Sequence, residues 1–173
     1  AALPLPGGGI RLDVPWVSQI DVNSPEGDDC GQACVLMLLK YYAIAPADLT
    51  VAKLTRKLLG KTNGAQLRWL AAQYGLNNLT VDTGCVNADS MCPILDKRRP
   101  VILLVNYKDL LLPDHLATGS DQGWHWVTIV GYDADHFLMH DPLWTPAQNG
   151  GKGGANLELA RSTLNGAMVR LGG

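Results

Sequence analysis

One cysteine, Cys30, stands where the sequence changes from a loop to an apolar helix. The segment DDCGQACVLMLLKYY begins with Asp28 and Asp29 and then places apolar residues at helical spacing. Asp29 can cap this helix through its side chain, which puts Cys30 in the first turn. Exposed N–H groups and the helix dipole favour an anion there, and the thiolate is the nucleophilic form of cysteine. Gly31 has no side chain and is expected to let a substrate carbonyl approach the sulfur.

The same segment also allows a structural interpretation of the thiol. The carboxylates of Asp28 and Asp29 would raise the pKa of a nearby thiol, so a cationic partner is needed to keep it ionised. Taken alone, the position of Cys30 therefore fits both a nucleophile and a structural cysteine. Cys34 lies one turn further along the apolar side of the helix, and we expect it to be a core residue.

A histidine in the second half of the chain is the candidate partner for the thiol. His125 lies in the strand-like segment GWHWVTIVGYD, where alone it also fits a structural histidine with a satisfied hydrogen bond. The next strand ends in MHDPL, and Asp141 there could orient an imidazole on the adjacent strand. We expect His140 to point to the opposite face, at the surface or behind the site. His136 at the hairpin tip and His115 in a long loop receive no role.

Gln19 is the fourth candidate residue. It ends the extended segment IRLDVPWVSQI and precedes Cys30 by eleven residues. A side-chain amide beside a nucleophile, together with a backbone N–H, could form an oxyanion hole. A glutamine in this segment is unremarkable on its own.

Helical patterns dominate the first half of the chain. Helices are predicted from Cys30 to Tyr42, after Pro46 up to Gly60, and before Gly75. A short strand, LTVDTG, and a short helix in ADSMCPILDKRR follow.

Strand patterns dominate the second half. PVILLVNY is predicted to be a buried strand, and WHWVTIVGYD and HFLMHDPL form a hairpin around residues 133–135. NGGKGGAN is a flexible loop, LELARSTLNG a last helix and AMVRL a last strand. Residues 108–123 form a long loop that is either a lid or specificity loop, or a surface insertion. Helices followed by an antiparallel sheet predict an α+β fold.

Composition narrows the class of protein. The chain has 173 residues, 47% of them hydrophobic and 17% charged, with a net charge of -2. This balance favours one globular domain and gives no support to nucleic-acid binding. No apolar run is long enough for a membrane span. Cys85 and Cys92 could form a disulfide or remain separate thiols.

The N-terminal residues read as a connecting segment. Residues 1–10 are rich in proline and glycine and predict a linker or N-terminal arm, which leaves residues 11–173 as a single domain. They lack the pattern of an intact signal peptide. They fit the start of a mature secreted protein or a cut within a longer polypeptide, and a secreted or cell-surface location is favoured over the cytoplasm.

Taken together, these blocks carry a family resemblance. VPWVSQ, DCGQACVLMLLKYY, RPVILLVNY, HWVTIVGYD and HDP occur in an order that resembles the double-glycine leader peptidases and their broader peptidase-like relatives, which are papain-like cysteine peptidases. The resemblance covers roughly residues 12 to 143. It implies an active-site glutamine at Gln19, a nucleophile at Cys30, a general base at His125 and an orienting aspartate at Asp141. Leader peptidases usually precede a transporter, and because no transmembrane segment follows here, the chain is more similar to the free-standing relatives.

Three functions follow as hypotheses. The first is a cysteine peptidase, possibly cleaving after Gly-Gly, with a peptide or protein substrate and neither metal nor organic cofactor. The second is an amidase or acyltransferase that uses the same residues on a non-protein or cell-wall substrate. The third is an inactive papain-like binding module, against which the complete set of Gln19, Cys30, His125 and Asp141 argues. The sequence leaves the oligomeric state open.

Overall fold

Among the described residues, three α-helices lie in the first half of the chain, and four of the six strands lie in the second. A computed structural model describes residues 2–5, 8–20, 28–59, 61–80, 87–112 and 123–169. The α-helices are α1 Cys30–Tyr41, α2 Val51–Lys57, α3 Gly64–Ala72, α4 Cys92–Asp96, the single turn α5 Gln148–Gly151, and α6 Arg161–Ala167. The strands are β1 Ala2–Pro4, β2 Ile10–Leu12, β3 Val101–Asn106, β4 Trp124–Tyr132, β5 His136–His140 and β6 Leu157–Ala160. Ala88–Met91 and Tyr107–Leu110 are 3-10 helices.

Helix α1 is the central helix of the molecule and is buried on nearly all sides. Its run from Ala33 to Leu39 is apolar throughout and is at most 2% exposed. It packs against α2 and α3 on one side and against β4 on the other. The buried amide of Gln32 donates to the carbonyl oxygen of Leu58 at 2.7 Å, which ties α1 to the end of α2. The predicted helix from Cys30 is therefore confirmed.

Local capping sets the limits of the next two helices. The Thr50 side chain accepts from the Lys53 N–H, so α2 begins later than the position after Pro46 that the sequence suggested. It also ends at Lys57, before the predicted stop at Gly60. A capping box of Asn63 and Gln66 starts α3.

β4 is the central strand of the sheet. The strand order is β1-β2-β4-β5-β6, and β3 also pairs with β4, with every pairing antiparallel. The predicted hairpin is confirmed: β4 and β5 are joined through Asp133, whose side chain accepts from the N–H groups of Asp135 and His136. A bulge at Gly131 shifts the register within this pair. A Cβ on Gly131 would strike the carbonyl oxygen of Ile10, so β2 approaches β4 where only glycine fits.

The two ends of the described chain differ in part from the prediction. Within the predicted linker or arm, Ala2–Pro4 pairs with β2 and extends the sheet. The predicted helix over LELARSTLNG is wrong in its first part, because Leu157–Ala160 pairs with β5 as an edge strand and the helix begins at Arg161. Of the predicted last strand AMVRL, the structure describes residues 167–169, and there Met168 forms a bridge with Val105.

Several predicted features fall outside the described residues. They are most of the strand LTVDTG, Cys85 and with it any pairing to Cys92, and the long-loop residues 113–122 with His115. Within the described ranges, no helix has the length and apolar character needed to cross a membrane.

Candidate active site

Cys30 lies at the start of α1 and is partly exposed. Asp29 occupies the N-cap position, but its side chain makes no capping hydrogen bond, so the predicted side-chain cap is wrong. The first helical bond instead runs from the Ala33 N–H to the Asp29 carbonyl oxygen at 2.9 Å. The Cys30 thiol is among the groups that raise the pKa of His125, which places it beside that imidazole. The candidate nucleophile and its candidate partner are therefore neighbours.

His125 links the thiol to a buried carboxylate. Its Nε2 lies 2.8 Å from Oδ1 of Asp141, and the ring is buried in β4. Burial alone would lower the pKa of His125, but the charge of Asp141 and hydrogen bonds to Asp141 and Cys30 raise it to about 10. With Nε2 bound to the carboxylate, Nδ1 is the ring nitrogen left for the thiol.

The β4–β5 register explains why His125 and Asp141 meet. Thr128 is paired with His140, so Asp141, the next residue after β5, comes opposite Val127. Side chains alternate along a strand, which puts His125 on the same face as Val127 and diagonal to Asp141. Two residues separated by sixteen positions thereby reach hydrogen-bonding distance.

Asp141 is completely buried, and its carboxylate accepts several hydrogen bonds. Oδ1 accepts from His125 and from the backbone N–H of Leu143 at 2.9 Å. Oδ2 accepts from the hydroxyl of Tyr107 at 2.6 Å and from the indole N–H of Trp144 at 3.0 Å. Burial tends to raise the pKa of Asp141, but the positive charge and hydrogen bonds of His125, with those of Tyr107 and Leu143, lower it below its ordinary value. The carboxylate is therefore held in its ionised form.

Tyr107 and Trp144 were missed by the sequence analysis. Trp144 stands three residues after Asp141, which is a local signal that could have suggested it. Tyr107 offered no local signal, because it approaches Asp141 from the end of β3.

The extended segment after β2 packs against the turn that carries Asp141. The indole N–H of Trp16 donates to the Asp141 carbonyl oxygen at 2.8 Å, and the Ser18 hydroxyl donates to the Trp144 carbonyl oxygen at 2.7 Å. The backbone N–H of Gln19 donates to the Pro142 carbonyl oxygen at 2.7 Å. These contacts fix Gln19 beside the Asp141 turn, with its side chain 2% exposed.

Two residues of the glycine-rich segment NGGKGGAN, Gly153 and Gly154, are buried against the site. A Cβ on Gly153 would strike the ring of Trp16, and one on Gly154 would strike the Asp141 carbonyl group. The backbone N–H of Asp141 also donates to the Gly154 carbonyl oxygen at 2.9 Å. The prediction of a flexible loop is wrong for these two residues, since they are buried where the chain passes close to the site.

Gly31 has a different role from the one predicted. A Cβ there would point into protein, toward the Thr62 hydroxyl, within 2.8 Å of Leu67 Cδ2 and 3.2 Å of Trp126 Cδ1. The space freed by the missing side chain is therefore filled by helix packing and gives no room to a substrate. Gly31 lets α1 approach the start of α3.

The remaining candidates divide between the core and the hairpin tip. Cys34 is fully buried, as predicted, and burial raises the pKa of its thiol well above the ordinary value. His140 is also buried, so of the two predicted positions, at the surface or behind the site, the surface position is wrong. Its Nε2 lies 2.8 Å from the Val14 carbonyl oxygen, and its Nδ1 accepts from the Asn156 N–H at 3.0 Å. His136 lies at the hairpin tip beside Asp133, as predicted.

An apolar cavity of about 430 Å³ lies apart from these residues. It is bounded by α3, α4, β3 and the chain after α6, and its wall includes Leu67, Ile102 and Trp126. Neither Cys30 nor His125 lines it. This cavity is not the candidate reactive centre, because the candidate nucleophile, the thiol of Cys30, does not line it.

A partly exposed thiol at a helix start, an imidazole on a strand and a buried aspartate on the next strand form the arrangement of a papain-like cysteine peptidase. The sequence profile of the Peptidase_C39 like family matches residues 11–153. The chain belongs to this family and is a cysteine peptidase. No curated protein gives a significant match.

Solved structures with the same fold are also similar to this chain. A C39-like peptidase from Bacillus anthracis is 19% identical with a TM-score of 0.65, covering 99% of this chain and 94% of that one. The peptidase domain of Streptococcus ComA, a bifunctional ABC transporter of a quorum-sensing pathway, is 16% identical with a TM-score of 0.52, covering 90% and 92%. A double glycine motif protease from an AMS/PCAT transporter, solved with its leader peptide, is 14% identical with a TM-score of 0.49, covering 98% and 94%. The similarity to the Bacillus anthracis structure confirms the predicted α+β, papain-like fold.

Proposed function

We propose that this peptidase hydrolyses peptide bonds through a catalytic triad of Cys30, His125 and Asp141. The observation that carries the proposal is the buried His125–Asp141 pair, with the Cys30 thiol beside the same imidazole and among the groups that raise its pKa. A raised pKa keeps His125 protonated, and a protonated imidazole beside a thiol favours the thiolate. The start of α1 adds unpaired N–H groups that also favour an anion.

The reaction follows from these protonation states. The Cys30 thiolate attacks the carbonyl carbon, and the carbonyl oxygen becomes an oxyanion. As the intermediate collapses, the C–N bond breaks and His125 gives its proton to the leaving amine. Water then loses a proton to His125 and attacks the thioester, the C–S bond breaks, and the thiolate is restored.

Gln19 is proposed to stabilise the oxyanion. Its position beside the Asp141 turn, fixed by the bond from its backbone N–H to Pro142, supports an amide donor directed at the reacting carbonyl. A buried and preorganised donor stabilises the charge that develops in the transition state more than it stabilises the neutral substrate. Gln19 therefore contributes to kcat more than to substrate affinity.

The proposed cleavage position follows paired glycines. The resemblance to double-glycine leader peptidases supports this specificity. Glycine also suits a scissile position close to the start of a buried helix, since larger side chains would contact the walls around the sulfur.

A peptide library with mass-spectrometric mapping of cleavage sites tests the proposal. We expect cleavage after Gly-Gly by the purified protein and none by Cys30→Ala. Cys92→Ala is the control, because the Cys92 thiol contacts Arg161, which is not one of the proposed catalytic residues. Rapid cleavage after large or charged residues, with Gly-Gly peptides intact, would refute the specificity. Full hydrolysis by Cys30→Ala would refute the triad. Addition of hydroxylamine separates hydrolysis from acyl transfer, since an acyltransferase would divert its thioester mainly to hydroxamate.

A further inference from the structure

Tyr107 contacts two of the proposed triad residues at once. Its hydroxyl donates to Asp141 Oδ2 at 2.6 Å, and its ring meets the His125 ring edge-to-face, with centroids 4.8 Å apart at 87°. The side chain is 2% exposed. Burial and two different contacts hold both the hydroxyl and the ring in a single orientation.

The sheet explains how Tyr107 reaches this position. Val105 is paired with His125 in β3 and β4, and the Tyr107 N–H donates to the Gly123 carbonyl oxygen at 3.0 Å. Tyr107, just past the end of β3, is thus diagonal to His125 on one side, while Asp141, just past the end of β5, is diagonal to it on the other. The three side chains come from β4 and from the ends of its two neighbours β3 and β5.

We propose that Tyr107 is a positioning residue of the peptidase, whose hydroxyl holds Asp141 ionised and directed at His125. The inference rests on the proposed function of His125 and Asp141. Tyr107 acts through the carboxylate, to which its hydroxyl donates.

The hydroxyl matters because the carboxylate is completely buried. A buried carboxylate needs charge-assisted hydrogen bonds to remain ionised, and these are strongest at short distances. The Tyr107 bond to Oδ2 is shorter than the Trp144 bond to the same oxygen, at 2.6 Å against 3.0 Å. Without it, Asp141 is protonated more readily, and a neutral carboxyl group no longer stabilises the imidazolium of His125 by its charge.

The titratable groups around this pair come from several elements. Helix α1 contributes the thiols of Cys30 and Cys34, and Asp29 precedes it in the chain. The end of β3 contributes Tyr107. The histidine next to Asp141 in sequence, His140, is engaged by Val14 and Asn156 instead. Loss of the Tyr107 hydroxyl should therefore act mainly on the Cys30–His125 pair. We expect the thiolate–imidazolium form of this pair to exist over a narrower pH range.

Tyr107→Phe is the direct test, because it keeps the ring and removes only the hydroxyl. Tyr132→Phe is the matched control: it removes a tyrosine–aspartate hydrogen bond of 2.7 Å, from Tyr132 to Asp96, remote from the site. Alkylation of Cys30 by iodoacetamide, followed by mass spectrometry across pH, reports thiolate formation without a known substrate. We expect Tyr107→Phe to slow alkylation at about pH 6 by about 10-fold and to narrow the pH range of reactivity, the size of effect typical of a lost bond to a charged group. Tyr132→Phe should match the wild type.

A double-mutant cycle with Asp141→Asn shows whether the hydroxyl acts through the carboxylate. If it does, adding Tyr107→Phe to Asp141→Asn should change the alkylation profile little. Trp144→Phe removes the second donor to Oδ2 and should shift the profile in the same direction by a smaller amount.

Three results would overturn the inference. They are an unchanged pH profile in Tyr107→Phe, an effect of full size in the Asp141→Asn background, or loss of the fold in Tyr107→Phe, which would assign the hydroxyl to stability. In each case, loss of hydrolysis in Cys30→Ala would leave the proposed function standing. Retained hydrolysis in both Cys30→Ala and His125→Ala would instead refute the proposed function itself.

Discussion

Gly31 packs so closely against Trp126 that a Cβ on the glycine would lie 3.2 Å from the Cδ1 of the indole. The indole N–H donates to the Thr62 carbonyl oxygen at 3.1 Å, which fixes the ring at the start of α3. The residue after the proposed nucleophile is therefore where α1, α3 and β4 come together.

Gly31→Ala should destabilise the protein by about 1–3 kcal/mol, because the added methyl group overpacks a buried junction. Gly166→Ala is the control: this glycine lies in α6 with no atom near the position of a Cβ, and alanine there should stabilise by up to about 1 kcal/mol. Chemical denaturation of both variants measures the difference. Equal effects of the two changes would contradict the packing role of Gly31.

Cys30→Ala should abolish hydrolysis while leaving the fold intact, because Cys30 is partly exposed and carries the reacting sulfur. Cys34→Ala should keep activity and lose about 1 kcal/mol of stability, since its thiol fills a fully buried position. Turnover of a cleaved peptide and thermal unfolding distinguish the two. An active Cys30→Ala beside an inactive Cys34→Ala would reverse the assignment.

Gln19→Ala should lower kcat by about 100- to 1000-fold with little change in KM, as expected for loss of one oxyanion donor. Gln73→Ala, an exposed glutamine after α3, is the control and should behave as wild type. Steady-state kinetics on one peptide substrate measures both constants. An increase in KM at constant kcat would make Gln19 a substrate-binding residue.

His140 should make the protein less stable as the solution becomes acidic. Burial lowers the pKa of His140 below its ordinary value of 6.5 and outweighs the carbonyl groups of Val14 and Met139, which raise it. Nδ1 accepts from the Asn156 N–H, which requires the neutral ring. Below about pH 6.5 the unfolded chain binds a proton that the folded chain does not, so the free energy of unfolding falls with falling pH. His125, with its pKa raised to about 10, changes the free energy of unfolding in the opposite direction in this range, so the contribution of His140 is the difference between two curves. Between about pH 7 and about pH 5.5, the wild type should lose more stability, or gain less, than His140→Gln. A steeper dependence in the variant would contradict the assignment.

Much of the proposed site follows from local sequence. The start of α1 is marked by the change from acidic loop to apolar helix, which placed Cys30 correctly. Period-two alternation and the short loop after Tyr132 placed His125 and Asp141 on adjacent strands. The structure adds the bulge at Gly131, which sets the register between these strands.

The errors arise where distant parts of the chain meet. Leu157–Ala160 has a helix-like composition, but pairing with β5 determines its conformation. The position of Tyr107 depends on strand pairing, and the neighbours that fill the space at Gly31 come from other elements. Burial of His140 likewise depends on Val14, 126 residues earlier in the chain. No pattern around these residues reveals such partners.

The contact between Trp16 and Asp141 also has a consequence for biosynthesis. These residues lie 125 positions apart, and Gly154 closes the same junction from further along the chain. A ribosome must therefore release the chain past Gly154 before the turn that carries the aspartate can settle into place. A nascent polypeptide whose Cys30 has already left the ribosome would therefore have no peptidase activity until nearly all of the domain has emerged. The order of synthesis itself thus delays the onset of activity.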